Sequence, residues 1–151
     1  MFTLRATSGQ ANSPASVGFD GDVFFSPTAG LDIELGGLLA GTEYDQLAID
    51  GLVSLDGLLS IQTLGGFSPG VGDQFTIIDN FGTDMVLGRF IGLNEGTQFW
   101  SDGNSYQISN VGGNGNDVVL SALFSVPEPG CAMLFTLAAI GLTLRRNKRQ
   151  V

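Results

Sequence analysis

The sequence predicts an all-β body, built as a β-solenoid of the parallel β-helix type, followed by one C-terminal transmembrane helix. Three observations carry that prediction. The 151 residues include 23 glycines but only 14% charged side chains, a balance that suits short strands joined by tight turns. Aliphatic side chains alternate with polar ones in brief runs along most of the chain. Near the end, residues 130–144 carry no charge, and four of the six basic residues of the chain follow them directly.

In chain order, residues 18–37 mix turn and strand signals. Residues 23–25 are a short apolar piece, and Leu31, Ile33 and Leu35 alternate with Asp32 and Glu34. A period of two marks a strand with one buried face. Residues 41–45 read as a polar turn. Leu47 with Ile49, then Val53 with Leu55, repeat the inward pattern; Asp56-Gly57 is a strong turn dipeptide. Leu59, Ile61 and Thr63 carry the alternation to Gly65-Gly66. Residues 67–73 form a loop around Pro69-Gly70, and residues 74–79 a strand with Phe75 and Ile77 on one face. Residues 86–93, 97–100, 105–111 and 118–123 are the remaining strand candidates.

Repeated aliphatic units of this kind, separated by glycine-bearing turns and without intervening helices, suit a solenoid whose rungs stack one aliphatic ladder on the next. A β-sandwich of hairpins is the alternative reading of the same signals. The solenoid is preferred because the inward positions are repetitive aliphatics and the turns lack a regular Asn-Gly hairpin habit.

The chain divides into a Gly-rich body, 1–125, and a tail, 126–151. In the tail Val126, Pro127, Glu128 and Pro129 form a turn motif, residues 130–144 an apolar helix, and residues 145–151 a basic end. At 1.5 Å per residue the apolar run covers about 22 Å. With the prolines at the interface and snorkelling basic side chains, it can cross a thin or ordinary bilayer. Arg145, Arg146, Lys148 and Arg149 act as the stop and place the C-terminus in the cytoplasm. The first eleven residues contain no apolar run of signal-peptide length, so the chain is expected to be the C-terminal part of a longer exported protein.

The order Val126-Pro127-Glu128-Pro129, apolar run, Arg145-Arg146 resembles the PEP-CTERM protein-sorting signal. That resemblance implies export, anchorage in the inner membrane, and processing near the motif by an exosortase-type transpeptidase. Release or attachment at the cell surface follows, often in species that make exopolysaccharide. The body is similar to the terminal region of autotransporter-like, β-helical surface proteins. The similarity rests on Gly41, Tyr44 to Leu47, Gly66-Phe67, Pro69, Gly72-Asp73, Phe75, Ile77, Gly88, Phe90, Tyr106, Ile108, Gly113, Gly115 to Val118 and Leu120. It implies a β-helical architecture and a surface setting, and it brings no catalytic residues.

Charge and inventory narrow the chemistry. Net charge is −9, and since the tail holds four basic residues and one acidic residue, the body stands near −12. Such a body argues against a nucleic-acid partner. There is no histidine, and the one cysteine, Cys131, lies in the apolar run; Ser-His and Cys-His nucleophile systems are therefore absent. The body's basic residues are Arg5 and Arg89 alone. Paired carboxylates, Asp20 with Asp22 or Asp32 with Glu34, could serve glycoside hydrolysis, but on alternating strands they fall on the solvated face. Residues 112–120 fit one copy of a calcium-binding nonapeptide, with Asp117 as the candidate ligand. A glycine-rich turn before the last strand is the preferred reading there, and no other cofactor is expected. Phe99, Trp100 and Tyr106 flank a polar loop and are candidates for stacking on sugar rings.

The expectation is a non-enzymatic cell-surface or extracellular-matrix protein, exported and sorted through its tail. A carbohydrate-binding adhesin module is the second reading, with exopolysaccharide as partner. A polysaccharide-acting enzyme ranks third.

Overall fold

The computed structural model describes residues 14–125, which form eleven strands and no helix. The first six strands come as two successive sets of three. β1 (Ser16–Asp20), β2 (Val23–Phe24) and β3 (Gly30–Leu35) are followed by β4 (Gln46–Asp50), β5 (Val53–Leu55) and β6 (Leu58–Thr63). Each strand of the second set pairs in parallel with its counterpart: β4 on β1, β5 on β2, β6 on β3. The reason is visible in the partners. Val17 sits beside Leu47, Phe19 beside Ile49, Val23 beside Val53, Leu31 beside Leu59 and Ile33 beside Ile61. A one-residue slip in any pair would turn the whole aliphatic face to solvent, so the alternation fixes the register.

Partners are 30 residues apart in the first two stacks (Ser16 with Gln46, Val23 with Val53) and 28 in the third (Gly30 with Leu58). The two residues saved lie between β5 and β6, where Asp56-Gly57 replaces the longer turn closed by Ala29 N–H donating to the Ser26 carbonyl at 2.9 Å. Gly57 adopts φ +75°, and a Cβ there would run into the Ala29 carbonyl oxygen. Only glycine fits this corner, because the next backbone lies directly against it.

A third pass begins with β7 (Gln74–Asn80), parallel to β4, and β8 (Leu87–Gly88), parallel to β5. Pairing then changes direction. β9 (Gln98–Ser101), β10 (Asn104–Gly112) and β11 (Asp117–Ser125) are antiparallel neighbours, and β11 docks antiparallel on β7. The largest sheet therefore runs β1-β4-β7-β11-β10-β9. Parallel neighbours need a crossover rather than a hairpin, and among the described residues the antiparallel strand pairs fall among β7, β11, β10 and β9. At the far end the β9–β10 turn reaches the open edge of β6. Ser101 Oγ donates to the Ile61 carbonyl at 2.9 Å, and Thr63 N–H donates to Asp102 at 2.6 Å.

The inward ladders merge into one core, with Leu31, Ile33, Leu35, Leu47, Ile49, Phe75, Ile78, Phe90, Ile108 and Leu120 fully buried. Tyr44 and Phe75 meet edge to face at 5.3 Å, as do Phe25 and Phe90 at 5.7 Å. Residues 41–45 do form a turn, but its last two side chains point inward. Asp45 is buried, and its carboxylate accepts Ala15 N–H and Glu34 N–H at 2.8 Å each, tying the entries of β1 and β4 to β3. The strand candidate at 86–93 shrinks to Leu87–Gly88, with Phe90 buried beyond it. The sorting motif, the apolar run and the basic end lie outside the described residues. Among the described residues no helix is long and apolar enough to cross a membrane.

Candidate functional site

The site takes shape on β9, β10 and β11. Asp102 and Gly103 both have positive φ, 46° and 74°, which makes the β9–β10 connection a two-residue hairpin turn of the primed kind. That turn pairs Ser101 with Asn104, so Trp100 falls opposite Ser105 and Phe99 opposite Tyr106. Opposed residues on antiparallel strands share a face. Phe99 and Tyr106 turn inward, their rings 5.8 Å apart, with Tyr106 wholly buried. Trp100 turns outward and is 60% exposed. The three aromatics singled out from the sequence thus divide: two join the core and one reaches solvent.

Trp100 gains a different companion. Ser105 is also paired with Phe124 on β11, and the register shifts between Ser105 and Tyr106, whose partner is Ala122. Leu123 is therefore the extra residue of a bulge. Without it Phe124 would share the inward phase of Ala122; with it Phe124 faces outward and is 63% exposed. Trp100 and Phe124 stand on either side of Ser105, which is only 4% exposed.

One step along the same face runs a second row, Gln98–Gln107–Ser121–Gln74, continuous across β9, β10, β11 and β7. Gln107 Nε2 donates to the Gly96 carbonyl at 3.0 Å, and Gln74 Nε2 lies 3.4 Å from Ser121 Oγ. Neither row holds a charged residue, although the body is strongly acidic.

The other sequence candidates lie elsewhere. Asp117 is buried and accepts Asn80 N–H at 2.9 Å, closing the end of the β10–β11 hairpin against β7. The neighbouring Asp79 is held above the usual carboxylate range, first by burial and then by the Asp117 charge. Among the described residues no three acidic, histidine or cysteine side chains converge as a metal would require. Asp20 is beside Asp50 in register, in an open groove with Phe19 and Phe81. Asp22 accepts Leu52 N–H at 2.8 Å, and Asp32 lies on the solvated face of β3. Comparison with protein-family models, with curated proteins and with solved structures returned no match.

Proposed function

We propose that this chain is a non-enzymatic, exported cell-surface or extracellular-matrix protein. Its body is a short β-solenoid of the parallel β-helix type, ended by the antiparallel strands β9 to β11, and its tail is a sorting signal. The observation that carries the reading is the pair of successive three-strand sets, stacked in parallel at a spacing of 28 to 30 residues. Such a stack is a scaffold: each pass covers the apolar edge of the one before, and its outer faces are left for contact. Support for the destination comes from residues 126–151, where the Pro-Glu-Pro motif, the uncharged run and the basic end stand in the order a transpeptidase-processed anchor requires. The absence of histidine from the sequence and the two basic residues of the body support a role without catalysis.

The test compares two proteins expressed behind a signal peptide in a host with an exosortase-type enzyme. One is wild type; in the other Pro127, Glu128 and Pro129 are all alanine. Wild type should lose its tail near Pro129, read by intact mass, and leave the inner membrane, while the variant stays full length and membrane-bound. If both remain full length in the membrane, residues 126–151 are a plain anchor and the sorting role falls.

A further inference from the structure

We infer that the outer face of β9, β10, β11 and β7 is a binding platform for an extended, neutral glycan chain. Trp100 and Phe124 would stack on its sugar rings, and the Gln98–Gln107–Ser121–Gln74 row would hydrogen-bond its hydroxyls. Three features select that occupant. First, the aromatics are separated by two strand spacings, about 9.5 Å, roughly the length of two sugar residues in an extended chain. Every second ring of a flat glycan laid across the strands would then meet an aromatic side chain. Second, the polar groups beside the aromatic row are amides and a hydroxyl. They donate and accept at once, as sugar hydroxyls do, and they lie in line across four strands.

Third, charge chooses between ligands. The body carries about −12, which repels acidic polysaccharides and nucleic acids, yet this pair of rows holds no charged residue, the carboxylate of Glu95 being bound to Ser109 Oγ one step beyond Gln107. A neutral chain can approach it without an electrostatic penalty. The face is also built rather than incidental. The Asp102-Gly103 turn sets the phase of Trp100, and the Leu123 bulge re-aims Phe124 against the strand's own alternation. Both aromatic side chains remain largely exposed.

The platform deepens the surface-protein reading by naming what such a protein would hold. Its test uses purified protein, so failure of either reading leaves the other standing. The full chain, solubilised in a zwitterionic detergent without a sugar headgroup, is run in native gels cast with hydroxyethylcellulose, with glucomannan, or with acidic alginate. Wild type should be retarded by a neutral polysaccharide and not by alginate. Trp100→Ala and Phe124→Ala should each weaken retardation about tenfold, while Phe81→Ala, an exposed aromatic in the Asp20–Asp50 groove away from both rows, should leave it unchanged. Far-UV circular dichroism should be the same for all four proteins, because the substituted side chains are exposed. Absence of retardation by either neutral polysaccharide overturns the proposal, and so does retardation equal in wild type and in both platform variants. Loss in only one variant overturns the paired row. Capture by phosphatidylglycerol vesicles without glycan binding overturns it in favour of a membrane-facing role.

Discussion

Replacing Asp45 should untie the entries of β1 and β4 from β3. The carboxylate is buried, and its two oxygens each accept one backbone N–H, from Ala15 ahead of β1 and from Glu34 within β3. Hydrogen bonds to a charged acceptor contribute about 1.5–3 kcal/mol each, and a donor left unpaired in the interior adds its desolvation cost. Asp45→Ala removes both acceptors and should cost about 3–4 kcal/mol, both bonds being only partly buried. Asp45→Asn keeps the shape but sets an NH2 group against one of the two donors, so it should cost about 2 kcal/mol. A second signature separates these variants from simple loss of packing. Glu34 is held above its usual pKa first by burial and then by the Asp45 charge. Asp45→Asn removes that repulsion, so Glu34 should titrate lower, visible in the carboxyl carbon shifts of labelled protein. Urea unfolding followed by far-UV circular dichroism measures the stability difference, which should appear in the midpoint with an unchanged slope. If both variants lie within about 0.5 kcal/mol of wild type, the carboxylate does not clasp the strand entries.

Gly57→Ala should destabilise the fold by ~2 kcal/mol or more, because the residue sits at φ +75° with its missing Cβ aimed at the Ala29 carbonyl. Gly72→Ala, also at positive φ but with open space around it, should cost less, and equal costs in the same urea assay would remove the close-approach argument. The two tyrosines give the pH dependence. Tyr106 is pushed up to about 12, by burial and then by the Asp102 charge, and Tyr44 is raised above 10.0 mainly by burial. Both phenols are therefore easier to ionise in the unfolded chain. Their contribution to stability is complete below pH 10 and is lost as pH rises toward 12. Absorbance of the phenolates near 295 nm should stay low at pH 10 and appear together with unfolding, whereas half-ionisation at pH 10 in folded protein would contradict the burial of both rings.

Much of the parallel stack was legible because its signal is local and periodic. Leu31, Ile33 and Leu35, or Leu47 and Ile49, declare an inward face without reference to anything distant, and all five are buried. The Asp56-Gly57 corner was legible for a similar reason, since a positive φ leaves few choices of residue. Pairing direction cannot be read from one strand. It emerges when two copies of the same alternation are compared at a spacing of about thirty residues, as Val23 with Val53 or Ile33 with Ile61. Tyr44 and Asp45 were misleading because a polar pentapeptide containing Gly and Thr reads as solvated turn. What makes Asp45 an interior residue is the presence of two backbone donors, Ala15 and Glu34, that lie 30 and 11 residues away in the chain.

The outer face was harder to read, and the cause is phase. Trp100 is reachable from sequence once Asp102-Gly103 is taken as a two-residue hairpin turn, since the turn alone dictates which residues oppose each other. Reading the stretch between Trp100 and Tyr106 as a polar loop hid that signal. Phe124 offers no such handle. Strict alternation through Ala122, which faces the core, sends Phe124 inward as well, and only the extra residue at Leu123 reverses it. A bulge depends on how two strands disagree in length between fixed points, here the pairs Tyr106 with Ala122 and Ser105 with Phe124, where β11 takes two steps against one on β10, and neither strand's own pattern contains that disagreement. The same reasoning explains why Tyr106 looked like a companion for Trp100. Both flank the same polar loop in the sequence, but the hairpin pairs Phe99 with Tyr106 and so puts Trp100 and Tyr106 on opposite sides. A surface assembled by a turn and a bulge is therefore invisible to periodicity, even where every residue that forms it is in plain view.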